Sequence, residues 1–99
     1  MEAGLYIVGT PIGNLADMTF RAVETLKSAN LIVAEDTRHT RHLLDRYEIR
    51  TPTMSCHKFN EASRAELILG KIRAGQAVAM VTDAGMPAVS DPGSRVVAA

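Results

Sequence analysis

Short apolar runs alternate along this chain with segments of helical spacing. Leu5-Tyr-Ile-Val8 reads as a buried strand, followed by the loop Gly9-Thr-Pro-Ile-Gly-Asn14. Phe20, Val23 and Leu26, backed by Ala22 and Ala29, then fall on one helical face. Asp17 or Thr19 supplies the cap oxygen for that helix, and Asn30 marks its stop. Leu31-Ile-Val-Ala34 is a second strand, ended by Glu35-Asp36. Asp36 or Thr37 caps a second helix through about Tyr47, with Leu43, Leu44 and Tyr47 as its apolar side. Thr51 to His57, interrupted by Pro52, gives a short strand nearer the sheet edge. Asn60 caps a third helix in which Ala65, Ile68, Leu69 and Ile72 share a face, and Gly75 closes it at a left-handed position. Val78 to Val81 is a fourth strand, and Gly93 to Ala99 begins another helix.

Strand and helix alternating at this spacing predict an α/β domain, a three-layer αβα arrangement on a parallel sheet with right-handed crossovers. Every loop that follows a strand then leaves from the same edge of the sheet. Gly9 to Asn14, Glu35-Asp36, His57 to Glu61 and Asp83 to Gly93 converge there, where ligands of open α/β sheets sit. The last of these loops is the richest, with Asp83, Gly85, Pro87, Ser90, Asp91, Pro92 and Gly93. Small residues let backbone amides approach a ligand, and the prolines stiffen the loop against continuing as a helix.

Composition narrows the picture. With 99 residues the chain suits one domain, and 11 Lys+Arg against 11 Asp+Glu leave no global field toward nucleic acid or membrane. Apolar residues make up 46% but aromatics only 4%, which predicts an aliphatic core. The lone Cys56 fits a reducing compartment without a disulfide framework. No signal peptide or long apolar run is present, so the expected location is cytoplasmic. The sequence closes on Val96-Val-Ala-Ala99 with no cap or polar tail, and it is expected to be the front part of a longer protein.

Candidate chemistry lies in the converging loops. Gly9 to Asn14 has the look of a phosphate cradle but lacks the Lys-Ser/Thr pair of a Walker motif and the spacing of a dinucleotide fingerprint. Glu35 and Asp36 are adjacent carboxylates at the site edge, each able to orient an acceptor hydroxyl or take its proton, and Asp36 also suits a helix cap. Arg38, Arg41, Arg46 and Arg50 gather on or after the second helix, and Arg38, at the site edge, is the candidate phosphate contact. His39, His42, Cys56 and His57 lack the spacing of a metal set.

Several motifs occur together and in order. They are Gly9-Thr-Pro-Ile-Gly-Asn-Leu15, then Asp17 with Thr19 and Arg21-Ala22, and Ala34-Glu-Asp-Thr-Arg38 with Thr40. His57 with Asn60-Glu61 follows, then Val81-Thr-Asp-Ala-Gly-Met-Pro87 with Ser90-Asp-Pro-Gly93. Over nearly the whole chain this resembles the tetrapyrrole methylase superfamily, within it the 2'-O-ribose methyltransferases of small-subunit ribosomal RNA. The resemblance implies the N-terminal domain of two (1–99 here), a parallel sheet in the order 3-2-4-1-5, and a fifth strand beyond Ala99. It implies S-adenosylmethionine (AdoMet) as methyl donor, bound between the domains, and no metal. Pro11, Asp83, Ala84, Gly85, Met86, Pro87, Val89 and Ser90, with Asp91 beside them, would face that donor. Asn14, Arg38, His57, Asn60 and Glu61 would face the acceptor, a cytidine ribose in 16S RNA. A homodimer is the implied assembly. The chain departs from the pattern at Met86, usually Thr, and at Thr82, usually Ser; the second keeps a hydroxyl and the first leaves backbone contacts. A methylase acting on a small tetrapyrrole, which the Glu35 to Arg38 motif argues against, and a non-catalytic metabolite-binding module of flavodoxin-like build are the alternatives.

Overall fold

The computed structural model describes residues 1–10, 18–57, 59–83 and 96–97. The elements run β1 (Gly4–Thr10), α1 (Phe20–Ser28), β2 (Leu31–Ala34), α2 (Thr37–Arg46), β3 (Thr53–Ser55), α3 (Glu61–Arg73), β4 (Ala77–Asp83) and β5 (Val96–Val97). They form one sheet in the order β3-β2-β4-β1-β5. The first four strands are parallel, with Gly4 opposite Ala77 through Thr10 opposite Asp83, Leu31 opposite Val78, and Ile32 opposite Thr53.

The position of each helix follows from this order. Two successive crossovers, β1 to β2 and β2 to β3, move toward the β3 edge, and the next one moves back to β4. Right-handed crossovers in opposite directions place their helices on opposite faces. Accordingly α1 and α2 cover one face, where Val8, Ile32 and Ala79 meet Leu26, Leu43 and Leu44 in a continuous core. On the other face α3 covers Leu31, Val33 and Val78 with Ile68 and Ile72. The two-residue period of β2 therefore splits Ile32 from Leu31 and Val33, yet all four of its residues are buried because both faces are covered.

Three expectations are corrected. The helix from Gly93 gives way at Val96–Val97 to a strand paired antiparallel with β1, Val97 opposite Leu5 and Val96 opposite Tyr6. The flank of β1 thus takes its fifth strand within this chain rather than only beyond Ala99. Two adjacent β-branched residues favour extended backbone, and that flank of β1 offers them unpaired N–H and C=O groups. Asn60 occupies the cap position of α3, but its side chain makes no cap hydrogen bond; its Oδ1 accepts instead from the His57 amide at 2.7 Å. Ala65 faces solvent, so the buried side of α3 is narrower than its apolar pattern suggests.

Helix ends fix the remaining geometry. Thr19 Oγ1 accepts from the Ala22 amide at 3.0 Å, as a cap should, and the Thr51 hydroxyl donates to the Leu26 carbonyl at 2.7 Å near the other end of α1. Asn30 lies one residue past the C-cap Ala29 and clamps the start of β4. Its amide donates to the Ala77 carbonyl at 2.8 Å, and its Oδ1 accepts from the Ala77 amide at 2.9 Å.

Both α2 and α3 close in Schellman motifs. After α3, Gly75 has φ +93°, with its amide donating to Ile72 and that of Gln76 to Lys71. After α2 the left-handed residue is Glu48, at φ 55°, and the Ile49 amide reaches the Leu44 carbonyl at 2.8 Å. A side chain at such a position costs roughly 1–2 kcal/mol, partly offset by the greater freedom glycine loses on folding. Gly70 is the converse case, a glycine inside α3 with open space where a Cβ would stand. Glu48→Gly and Gly70→Ala are each expected to raise stability by about 0.5–1 kcal/mol. A rise in the urea midpoint at constant m-value is the confirming measurement.

Candidate functional site

Thr10 and Asp83 are register partners on neighbouring parallel strands. The carboxyl ends of β1 and β4 therefore lie side by side at one edge of the sheet. Pro11, Asn14, Ala84, Gly85, Met86, Pro87, Val89, Ser90 and Asp91 lie outside the described residues. The exits of β2 and β3 diverge from each other, because β2 feeds α2 over one face while β3 feeds α3 over the opposite one. Divergent exits from adjacent strands open a crevice at the carboxyl edge.

A cleft of about 430 Å³ opens at this edge, over the ends of β2 and β4 and beside that of β3. Among the described residues its floor is Val33, Ala34, Met80 and Val81, the ends of β2 and β4. Glu35, Asp36 and His39 are exposed at its rim, and Thr40, Cys56 and Thr82 complete the lining. The size falls in the range of small-molecule sites, and an apolar floor with a few polar groups is their usual lining. The carboxylates at the rim suit a ligand that is cationic in part, and the aliphatic floor suits a flat apolar ring. Thr40 belongs to the motif after β2 and His39 to the rejected metal set, but the sequence assigns neither to the site; their signal is their place in the first turn of the helix after β2.

The two carboxylates have different roles in the fold. Asp36 is the N-cap of α2, and its Oδ1 accepts from the Arg38 amide at 3.0 Å, with Arg38 Nε 3.6 Å away. That amide hydrogen bond, then the Arg38 charge and the His39 amide, hold its carboxyl below the ordinary 3.8 against a smaller opposing effect of desolvation. A depressed folded value means that the cap contributes stability above the ordinary carboxylate range and loses it as pH falls through the folded value. A carboxylate so committed is a poor proton acceptor. Glu35 is exposed at the cleft rim and, among the described residues, carries no hydrogen bond or ion pair.

Arg38 projects into solvent at the same edge, with its side chain 92% exposed. Arg41 lies along the helix toward β3, with Nη2 3.4 Å from Thr53 Oγ1. His57 and Asn60 belong to the turn between β3 and α3, and Glu61 is the first residue of α3. The turn is tied internally. The Asn60 amide donates to the His57 carbonyl at 3.1 Å, the Phe59 amide donates to His57 Nδ1 at 3.2 Å, and Arg64 Nε donates to the Ser55 carbonyl at 3.1 Å. The turn is joined to the cleft through Cys56, whose amide donates to the Ala34 carbonyl at 2.9 Å. Among the described residues no group of three or more His, Cys, Asp or Glu could hold a metal ion, and no helix is long and apolar enough to cross a membrane.

The chain is similar to proteins named ribosomal RNA small subunit methyltransferase I. It is 57% identical to that of Synechocystis sp. over 96% of this chain and 34% of the relative. For Borrelia garinii the figures are 56% identity over 96% of this chain and 42% of the relative. For Bacillus subtilis they are 53%, 94% and 32%. The chain thus spans about a third to two-fifths of the length of these curated relatives. The family model of the tetrapyrrole (corrin/porphyrin) methylases matches residues 4–99, from the first residue of β1 onward. With that match across the sheet and its carboxyl edge, the chain belongs to the tetrapyrrole methylase family.

Proposed function

We propose that this chain supplies the AdoMet-binding domain of an enzyme that methylates the 2'-hydroxyl of a cytidine ribose in small-subunit ribosomal RNA. The observation that carries the reading is the adjacency of the β1 and β4 exits beside a cleft floored by the ends of β2 and β4. The names of the relatives, which place their methyl transfer on small-subunit ribosomal RNA, support the choice of acceptor. Pro11, Asp83, Ala84, Gly85, Met86, Pro87, Val89 and Ser90 would hold the donor, chiefly through backbone groups. Bound there, AdoMet supplies a methyl group already activated on a sulfonium.

What remains for the chain's own residues is to present the acceptor. A ribose hydroxyl is a weak nucleophile, so orientation and removal of its proton both favour transfer. We assign the acceptance of that proton to Glu35, a reading supported by its exposure at the cleft while the carboxylate of Asp36 is held by the start of α2. Arg38, with Asn14, His57, Asn60 and Glu61, would line the acceptor side.

Isothermal titration of the intact gene product with AdoMet is expected to release heat at a single site. Methyl transfer is expected to small ribosomal subunits and not to a reduced porphyrin precursor. Absence of AdoMet binding would make the fold a module for another metabolite, and transfer to the porphyrin precursor alone would replace the RNA reading.

A further inference from the structure

The turn between β3 and α3 carries an exposed aromatic ring, as does the start of α1, where Phe20 is 81% exposed. Aromatics are only 4% of the sequence, yet Phe59 is 90% exposed, the largest exposure among the described large apolar side chains. A solitary exposed ring on a loose segment would mean little. Phe59 is instead set in a turn held by hydrogen bonds at both ends. Its amide is anchored on His57 Nδ1, Asn60 Oδ1 holds the His57 amide at 2.7 Å, and Arg64 ties the helix start to Ser55. Its ring meets the His57 ring at 6.0 Å and 69°, an edge-to-face contact that steadies it without covering it.

The surroundings indicate what such a ring meets. The residue that opens the turn, Cys56, lines the cleft together with His39 of α2. On α2, Arg38, Arg41, His39 and His42 are all exposed. Arg41 lies within 3.4 Å of the hydroxyl of Thr53, the first residue of β3. An exposed aromatic in the turn after β3, three residues past a cleft-lining cysteine and following the strand that Arg41 reaches, matches how proteins hold single-stranded nucleic acid. Cations track the backbone, and an unpaired base stacks on the ring.

We propose that Phe59 is a stacking platform for an unpaired base of the RNA acceptor, adjoining the nucleotide presented to the cleft. The inference rests on the RNA reading of the site. It adds to that reading a contact with a base where the sequence marks only a phosphate and ribose contact, and it assigns the contact to a residue outside the motifs.

The test compares Phe59→Leu, Phe59→Tyr and Phe59→Trp in the intact gene product, with small ribosomal subunits as acceptor and AdoMet as donor. Phe59→Leu keeps apolar bulk without a π-face and is expected to raise the KM for the subunits about tenfold or more. Its AdoMet affinity, melting temperature and oligomeric state are expected to match the parent. Phe59→Tyr is expected to restore the KM, and the Phe59→Trp indole to be quenched as subunits are added. The slope of affinity against salt is expected to stay unchanged in all three, since stacking neutralises no phosphate. An unchanged KM for Phe59→Leu overturns the proposal. A fall in melting temperature or a change in assembly overturns it by showing that the ring is covered by protein, and a weaker AdoMet affinity overturns it by placing the ring on the donor side. Failure of the parent protein to methylate any ribosomal RNA is a separate outcome, which removes the RNA reading and this inference together.

Discussion

Glu35→Gln is expected to lower kcat for ribose methylation by about a hundredfold or more, the usual effect of removing a positioned proton acceptor. The substitution keeps the side-chain length and its ability to accept a hydrogen bond, so orientation of the acceptor survives while proton removal does not. AdoMet affinity and melting temperature are expected to remain at the parent values, because Glu35 is exposed and ties no element of the fold. The neighbouring carboxylate gives the contrast. Asp36→Ser retains a cap oxygen for the Arg38 amide and is expected to keep most activity, whereas Asp36→Ala loses the cap and lowers the melting temperature. If Asp36→Ser abolished transfer and Glu35→Gln did not, the two roles would be exchanged. Single-turnover measurements with saturating subunits isolate this step from binding.

Leu44→Ala is expected to cost about 3–5 kcal/mol, the upper part of the range for a buried leucine. Leu44 is fully buried in the core between α2 and the sheet, among Leu26, Ile32, Leu43 and Ile49. Its carbonyl also accepts the Ile49 amide that ends α2, and the apolar contact between these two residues belongs to the same closing motif. Truncation therefore opens a cavity and loosens the helix end at once. Leu67→Ala is the control: Leu67 is 41% exposed, and its truncation is expected to cost less than about 1 kcal/mol. A loss of several kcal/mol is a large part of the stability of a domain this size. Urea unfolding at two protein concentrations gives the values and shows whether assembly contributes.

The sequence conveyed different parts of this architecture unequally. The bounds of β2 are plain because Leu31 to Ala34 is a continuous apolar run, the pattern of a strand covered on both faces. Asp36 and Gly75 were readable because each residue type has few better uses at a helix end. Glu48 was not, since nothing in a glutamate signals a left-handed backbone; the closing motif is imposed by burial of Ile49. Asn60 suited a cap by type, but the same oxygen serves the His57 amide, and only the folded turn decides between them. Val96-Val97 is too short a run for periodicity to separate helix from strand. Strand order came from the family resemblance and not from patterning, because every parallel arrangement buries these apolar runs about equally. At the site, the gathering of the parallel strand ends at one edge was visible in the alternation of elements. The distinction between Glu35 and Asp36 was legible only as the fitness of Asp36 for a cap, which the hydrogen bond from the Arg38 amide realises.

The central place of β4 bears on how the chain is made. Both partners of β1 in the sheet, β4 and β5, come later in the sequence, so β1 is made before β2 and β3 yet waits longer for a partner. At about 5–20 residues per second the nascent β1 waits for several seconds, with both flanks open, until β4 emerges. Pairing across so long a separation is slow, and an open flank is a template for other chains. The pause before β4 is therefore the interval in which β1 is most exposed to pairing with another chain.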